Sequence, residues 1–186
     1  MLNIDGGVHI DPGAQQLFNV LIALDMAAAG MDAEAICKKL EETGLDSTIY
    51  ITVDTLKYLK KGGRITPAAV ALGTLLRLKP VLTIQGEKLD AFAKARTMKQ
   101  ARSMMITAIT RDLENRFDDM TGEKTYIDVA HTDNDEMAQE LAAELRELFP
   151  ETEVRVDPLS LSVACHIGPG ALAIAATKKL EIGSLL

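Results

Sequence analysis

Two arginines and one histidine have neighbours that could make them bind an anion. Arg64 lies in KKGGRITP, residues 60–67. Two glycines before it allow close backbone approach, and Thr66 and Pro67 after it are residue types that open a helix. Free N–H groups, a helix dipole and a guanidinium together attract a carboxylate or phosphate, though the same residues also fit a capped helix and a surface arginine. His166 lies in CHIGPG, residues 165–170, at the end of an apolar run and beside the Gly168-Pro169-Gly170 turn. An imidazole there needs a polar partner, whether a ligand carboxylate, a phosphate or a backbone carbonyl. Arg96, in KARTMKQA (94–101), comes at a strand end just before a capping Thr97; it suits an anion, a partner protein or plain solvent. Cys165 adjoins His166, but the run reads as a strand, where neighbours point to opposite faces. That predicts a core thiol rather than a nucleophile–base pair.

The remaining sequence narrows the chemistry. No G-x-S-x-G, Walker loop or G-x-G-x-x-G is present, His9 and His131 are isolated, and Cys37 and Cys165 have no metal-type spacing. No metal or other cofactor is expected, and two distant cysteines fit a reducing cytoplasm. A net charge of −7 over 186 residues leaves no broad basic field for a nucleic-acid backbone. No signal-peptide pattern opens the chain. The most membrane-like stretch, residues 13–30, contains Gln15, Gln16, Asn19 and Asp25 and reads as a helix buried in protein, not a transmembrane segment.

These residues must be positioned by an alternation of strands and helices. MLNIDGG reads as a short strand; Asp11 and Pro12 open a helix that ends at Gly30, and Asp32 caps a second that stops at Gly44. STIYITVD alternates as a strand, TLKYLKKGG is a short helix with a left-handed glycine cap, and Thr66 opens a helix running to about Leu78. PVLTIQGEKLDAFAKAR predicts two strands turning at 85–87. Residues 98–117 form a helix with Met98, Ala101, Met105, Ile109 and Leu113 on one face. A strand at KTYIDVAHT, a helix with Met137, Leu141, Leu145 and Leu148 inward, and a strand at TEVRVDPL follow. LSVACHIGPGALAIAATKK is expected to be a final pair of strands. The mixed order predicts an α/β two-layer sandwich, a mixed β-sheet covered by helices, with a boundary near Asp46.

The motifs DTLKYLKKGGRI, LGTLLRLKPVLTIQGEKL, KARTMKQA and HIGPGALAI, in that order and at suitable spacing, resemble the DegV family of bacterial fatty-acid-binding proteins. The resemblance implies two α/β lobes that bury one long-chain fatty acid, its carboxylate near the lobe junction. Some members present that carboxylate to a separate fatty-acid kinase. On this footing residues 1–46 correspond to a remnant of a Rossmann-like N-terminal lobe, and residues 47–186 to the C-terminal α/β domain. The family's threonine and serine that hold the carboxylate have no counterpart here, and Asp5-Gly6 stands where an Asp-Ser pair is usual. Arg64, Thr66, His166, Gly168 and Gly170 match motif positions near the carboxylate or pocket mouth, and Arg96 one that suits a partner. The implied role is fatty-acid binding or transport without catalysis. The rival is a phosphoryl- or acyl-transfer enzyme with Arg64 and Arg96 as anion clamps and His166 as acid or base. The helix over 12–29 is expected to expose an apolar face and to drive homo-oligomerisation.

Overall fold

Alternating β-branched residues in STIYIT and a continuous apolar run in LAIAATK specify two strands, β1 (Ser47–Thr52) and β6 (Leu172–Lys178), that pair antiparallel at the centre of the sheet. The computed structural model describes residues 14–43, 46–72, 78–84 and 89–180. Around that pair the described strands form a six-stranded sheet in the order β3-β2-β1-β6-β4-β5. β2 (Lys79–Ile84) and β3 (Leu89–Ala95) pair antiparallel as expected, and the turn expected at 85–87 lies outside the described residues. β4 (Thr125–His131) and β5 (Val154–Pro158) are joined by α6 (Asp135–Leu148) and form the one parallel ladder among the described strands; the antiparallel neighbours supply the mixed character.

Two helices cover one face of the sheet. α5 (Met98–Asn115) begins with a capping exchange: Thr97 Oγ1 accepts from Gln100 N, and Gln100 Oε1 accepts from Arg96 N. Its predicted apolar stripe is realised, with Ala101, Met105, Ile109 and Leu113 fully buried against Tyr50, Val81, Ile127 and Ile174. On α6, Leu141 and Leu145 point inward as expected, but Leu148 is 49% exposed; Ala138 and Ala142 complete the inward face instead. Asp112, on α5, fastens the layers. Its buried carboxylate accepts from Thr48 Oγ1 and Tyr50 Oη, both at 2.7 Å, and from Arg116 at 3.3 Å.

The opposite face carries α1 (Ala14–Ala28), which reaches β6 and β4, and three short helices, α3 (Lys57–Gly62), α4 (Pro67–Leu72) and α7 (Leu161–Ile167). Leu59, Ile65, Ala69 and Ile167 close a second core over Ile51, Leu82, Ala130 and Ala173. α1 buries Ile22 and Met26 and leaves Val20 and Leu24 exposed. α2 (Ala33–Thr43) is capped by Asp32, whose carboxylate accepts from Ala35 N at 2.8 Å. Asp128 of β4 also points to this face, opposite Ala175 and Arg155. It is buried, and neither carboxylate oxygen has a hydrogen-bond partner among the described residues.

One element departs from the sequence reading. LSVACHI is helix α7, not a strand, with Ala164 N bonding Ser160 O and Gly168 N bonding Ala164 O. Val163, Ala164 and Ile167 are the inward positions, a helical spacing of three and four, while Leu161 is solvent-exposed. β6 already pairs on both edges, so the run had no place beside it. Cys165 is therefore on a helix and exposed, which corrects the expectation of a core thiol. The helix opening at Thr66 is described as far as Leu72, and the strand expected at MLNIDGG lies outside the described residues.

Candidate functional site

The strand register gathers Asp54, Lys79, Arg96 and the Gly168-Pro169-Gly170 turn at one end of the sheet. Thr52 pairs Val81 on one side and Leu172 on the other, so extending β1 by two residues sets Asp54 between Lys79 and Gly170. The side chains complete that row: Lys79 Nζ pairs with Asp54 Oδ1, and Gly170 abuts the Asp54 Cβ. His131 and Thr132 end β4 beside them. Thr132 grips the Gly168-Pro169-Gly170 turn from inside: its hydroxyl donates to Gly168 O at 2.6 Å and accepts from Ala171 N at 3.0 Å, and its carbonyl accepts from Gly170 N at 2.6 Å. Asn134 Nδ2 donates to Gly170 O, while its backbone N–H donates to Nδ1 of the buried His131.

α3 leaves this end directly after β1, and α7 returns to it directly before β6, so their C-termini meet. α3 stops in a Schellman turn, with Gly63 at φ 65°, Arg64 N donating to Leu59 O and Gly63 N to Lys60 O. A side chain at position 63 would strain that left-handed backbone. The turn delivers Arg64 next to His166. Both side chains flank Gly62: a Cβ built there would lie 3.3 Å from His166 Nδ1 and 3.5 Å from Arg64 Cγ. Arg64 Nε is withdrawn from water and has no hydrogen-bond acceptor among the described residues. A buried guanidinium N–H lacking an acceptor is costly, and a carboxylate is its natural complement.

The other predicted residues fall into different roles. The Thr66 hydroxyl is already occupied, capping α4 by accepting from Ala69 N at 3.2 Å and donating to Asp90 Oδ1 at 2.6 Å. That bond, and then the Ala91 N–H, hold the Asp90 carboxyl below its ordinary pKa. The α4 start thus carries the protein's own carboxylate. Gly168, at φ 81°, caps α7 and lies against the ring of Tyr58. Arg96 is exposed and follows the last residue of β3, whereas the backbone at Arg64–Thr66 pairs with Leu89 at the first. Six residues of strand place them about 20 Å apart. The structure sets Arg64 beside His166 and Gly62, and the two glycines of the turn beside Tyr58, Asp54 and Thr132; Arg96, after Ala95 opposite Lys79, is at the sheet end of Asp54 and Gly170 but a strand's length from the Arg64 backbone. Sequence reasoning missed Tyr58, Thr132 and Asp54, whose roles depend on helix and strand pairing across the chain. The described residues contain no group of three or more His, Cys, Asp or Glu able to hold a metal, and no helix long and apolar enough to cross a membrane.

Comparison with known proteins bears on this arrangement. The model of the family described as "Uncharacterised protein, DegV family" matches residues 12–179. The chain belongs to the DegV family. It is 37% identical over 165 residues to the DegV domain-containing protein YqaC of Lactococcus lactis, covering 87% of this chain and 56% of that one. Among solved structures it resembles a DegV family protein from Thermus thermophilus, described for its fatty-acid binding, with TM-score 0.75 and 32% identity over 86% of this chain and 55% of that one. It likewise resembles DegV of Bacillus subtilis, described as a fatty acid binding protein, with TM-score 0.74 and 30% identity over 88% and 56% of the two chains. The chain spans about half the length of these DegV relatives.

Proposed function

We propose that this DegV chain forms part of a binding site for a long-chain fatty acid, with Arg64 and His166 at the carboxylate end and the apolar core beneath α3, α4 and α7 beside the tail. The observation that carries this reading is the buried, acceptor-less Arg64 Nε next to the His166 imidazole. A carboxylate supplies the missing acceptor in a charge-assisted bond. The fatty-acid-binding descriptions of the Thermus and Bacillus relatives support the same ligand class. A tail of about 14 methylenes at ~0.8 kcal/mol each gives a driving force on the order of 11 kcal/mol for complete enclosure, a large part of it offset by lost translational and rotational freedom.

In this reading the chain binds and presents its ligand in the cytoplasm without catalysis of its own, and residues 1–46 belong to the first lobe. Gly168 and Gly170 shape the mouth, and Thr66 contributes through the α4 cap rather than through a free hydroxyl. Arg96, exposed at the sheet end, is the candidate contact for a partner such as a fatty-acid kinase. Solvent extraction of the purified protein followed by mass spectrometry tests the ligand class: a co-purified long-chain fatty acid is expected, and consistent absence of lipid from protein expressed in lipid-replete cells would count against it. Turnover of an acyl phosphate by the protein alone would favour the acyl-transfer alternative.

A further inference from the structure

We infer that Tyr58 is a positioning residue for the Arg64–His166 pair, acting through a reciprocal ring-on-glycine clasp between α3 and α7. The inference deepens the carboxylate-binding reading and rests on it for its functional meaning. Each of the two short helices ends in a glycine, and each sends a ring onto the other's glycine. Tyr58 of α3 lies against Gly168 so closely that a Cβ built there would stand 2.5 Å and 2.6 Å from Cδ2 and Cε2 of the ring. His166 of α7 lies against Gly62, where a Cβ would stand 3.3 Å from Nδ1. The Tyr58 contact cannot form with a side chain at position 168, and a Cβ at position 62 would push the His166 ring back by a few tenths of an ångström, so each helix end accepts its ring in this position because the opposing residue is bare. Gly168 is fixed from the far side by the Thr132 hydroxyl on its carbonyl and from within α7 by Ala164 O. Tyr58 thus presses α3 onto an anchored point. The Gly62–Arg64 turn, which follows Tyr58 within six residues, is thereby set against His166. The Tyr58 hydroxyl makes no hydrogen bond among the described residues, and the residue is 38% exposed. The ring alone is what the clasp uses.

The test follows the His166 Cε1–H resonance of the 1–186 chain by NMR, assigned by its loss in His166→Gln. Tyr58→Ala should shift that resonance and Tyr58→Phe should leave it in place; Tyr58→Leu replaces the alanine variant if that one does not fold. Gly168→Ala should shift it too, and the destabilisation it causes should be smaller in the Tyr58→Ala background than in the wild type, because the added methyl no longer meets the ring. Titration with sodium octanoate, with octanol as the uncharged control, gives the functional arm. Octanoate affinity read at His166 should fall about tenfold in Tyr58→Ala and recover in Tyr58→Phe, with octanol changed equally little in both. An unmoved His166 signal in Tyr58→Ala, or a phenylalanine variant that behaves like the alanine one, overturns the clasp. If Tyr58→Ala moves the signal but octanoate never does, even in the chain fused behind the N-terminal half of a longer DegV relative, the clasp stands and the carboxylate reading falls.

Discussion

Replacing Asp128 with Asn should make this protein more stable at neutral pH and remove a pH dependence that the wild type displays. Asp128 is buried on the α1 side of the sheet with both oxygens lacking partners among the described residues. Burial, and then the adjacent Asp157 carboxylate, push its pKa up to about 8, with Arg155 opposing. In the unfolded chain an aspartate titrates near 3.9. Between those values the native state holds a proton that the unfolded state has released, so stability must fall as pH rises. The loss begins near pH 4 and levels off above pH 8. A slope of about 1.4 kcal/mol per pH unit over roughly three units gives an upper bound of about 4 kcal/mol by pH 7. Asn keeps the volume and does not titrate. Urea unfolding of both proteins at pH 5, 6, 7, 8 and 9 provides the assay. The difference between them should widen in favour of D128N from pH 5 to 8 and then stay constant. Parallel stability curves would refute the argument, because they would mean that Asp128 is solvated or paired as a carboxylate.

Three further outcomes are expected. Asp112→Asn should destabilise the fold by about 3 kcal/mol in urea titrations, since it disturbs a buried acceptor shared by Thr48, Tyr50 and Arg116; Tyr50→Phe, which removes one donor, should cost about 1 kcal/mol. Arg64→Ala should weaken binding of a fatty acid more than of the matching alcohol by about 1.5–3 kcal/mol, measured by calorimetry on a protein that binds both; equal losses would reduce Arg64 to a wall of the pocket. The exposed Val20 and Leu24 of α1 should support self-association visible by sedimentation at high concentration; the Val20→Glu, Leu24→Glu double variant should be monomeric, and a wild type already monomeric at high concentration would dismiss the interface.

Much of the architecture was legible because its signals are periodic. The α5 stripe from Ala101 to Leu113, the alternation in β1 and the β4-α6-β5 unit each repeat a burial pattern several times along the chain. LSVACHI offered only one repeat, in an apolar run with two β-branched residues, and a short run of that kind fits strand and helix alike. The same limit hid Leu148, in the last turn of a stripe that alanines complete. At the candidate site, glycines and arginines were readable as types, but their company was not. Asp54 meets Gly170 because of the β1–β6 register, and Thr132 meets Gly168 across 36 residues of chain. Thr66 looked available in sequence and is engaged in the structure, since its partner Asp90 comes from the following hairpin. Asp128 sat unnoticed in an alternating strand, where a single acid on the buried face gives no local signal of its lack of partners.

Palmitate calorimetry on two proteins tests the central claim most directly: residues 1–186 alone, and the same chain fused behind the N-terminal half of the Lactococcus relative. In the proposed shared pocket this chain supplies the Arg64–His166 end and part of the apolar wall, and a first lobe supplies the remaining carboxylate ligands and cover. Each methylene left in water forfeits about 0.8 kcal/mol, and each missing charge-assisted bond to the carboxylate about 1.5–3 kcal/mol. The 1–186 chain should therefore give weak or no heat, and the fusion clear one-to-one binding that Arg64→Ala impairs. Tight stoichiometric binding by the 1–186 chain alone would contradict a pocket shared between lobes, and a folded fusion that binds no palmitate would contradict the fatty-acid reading itself.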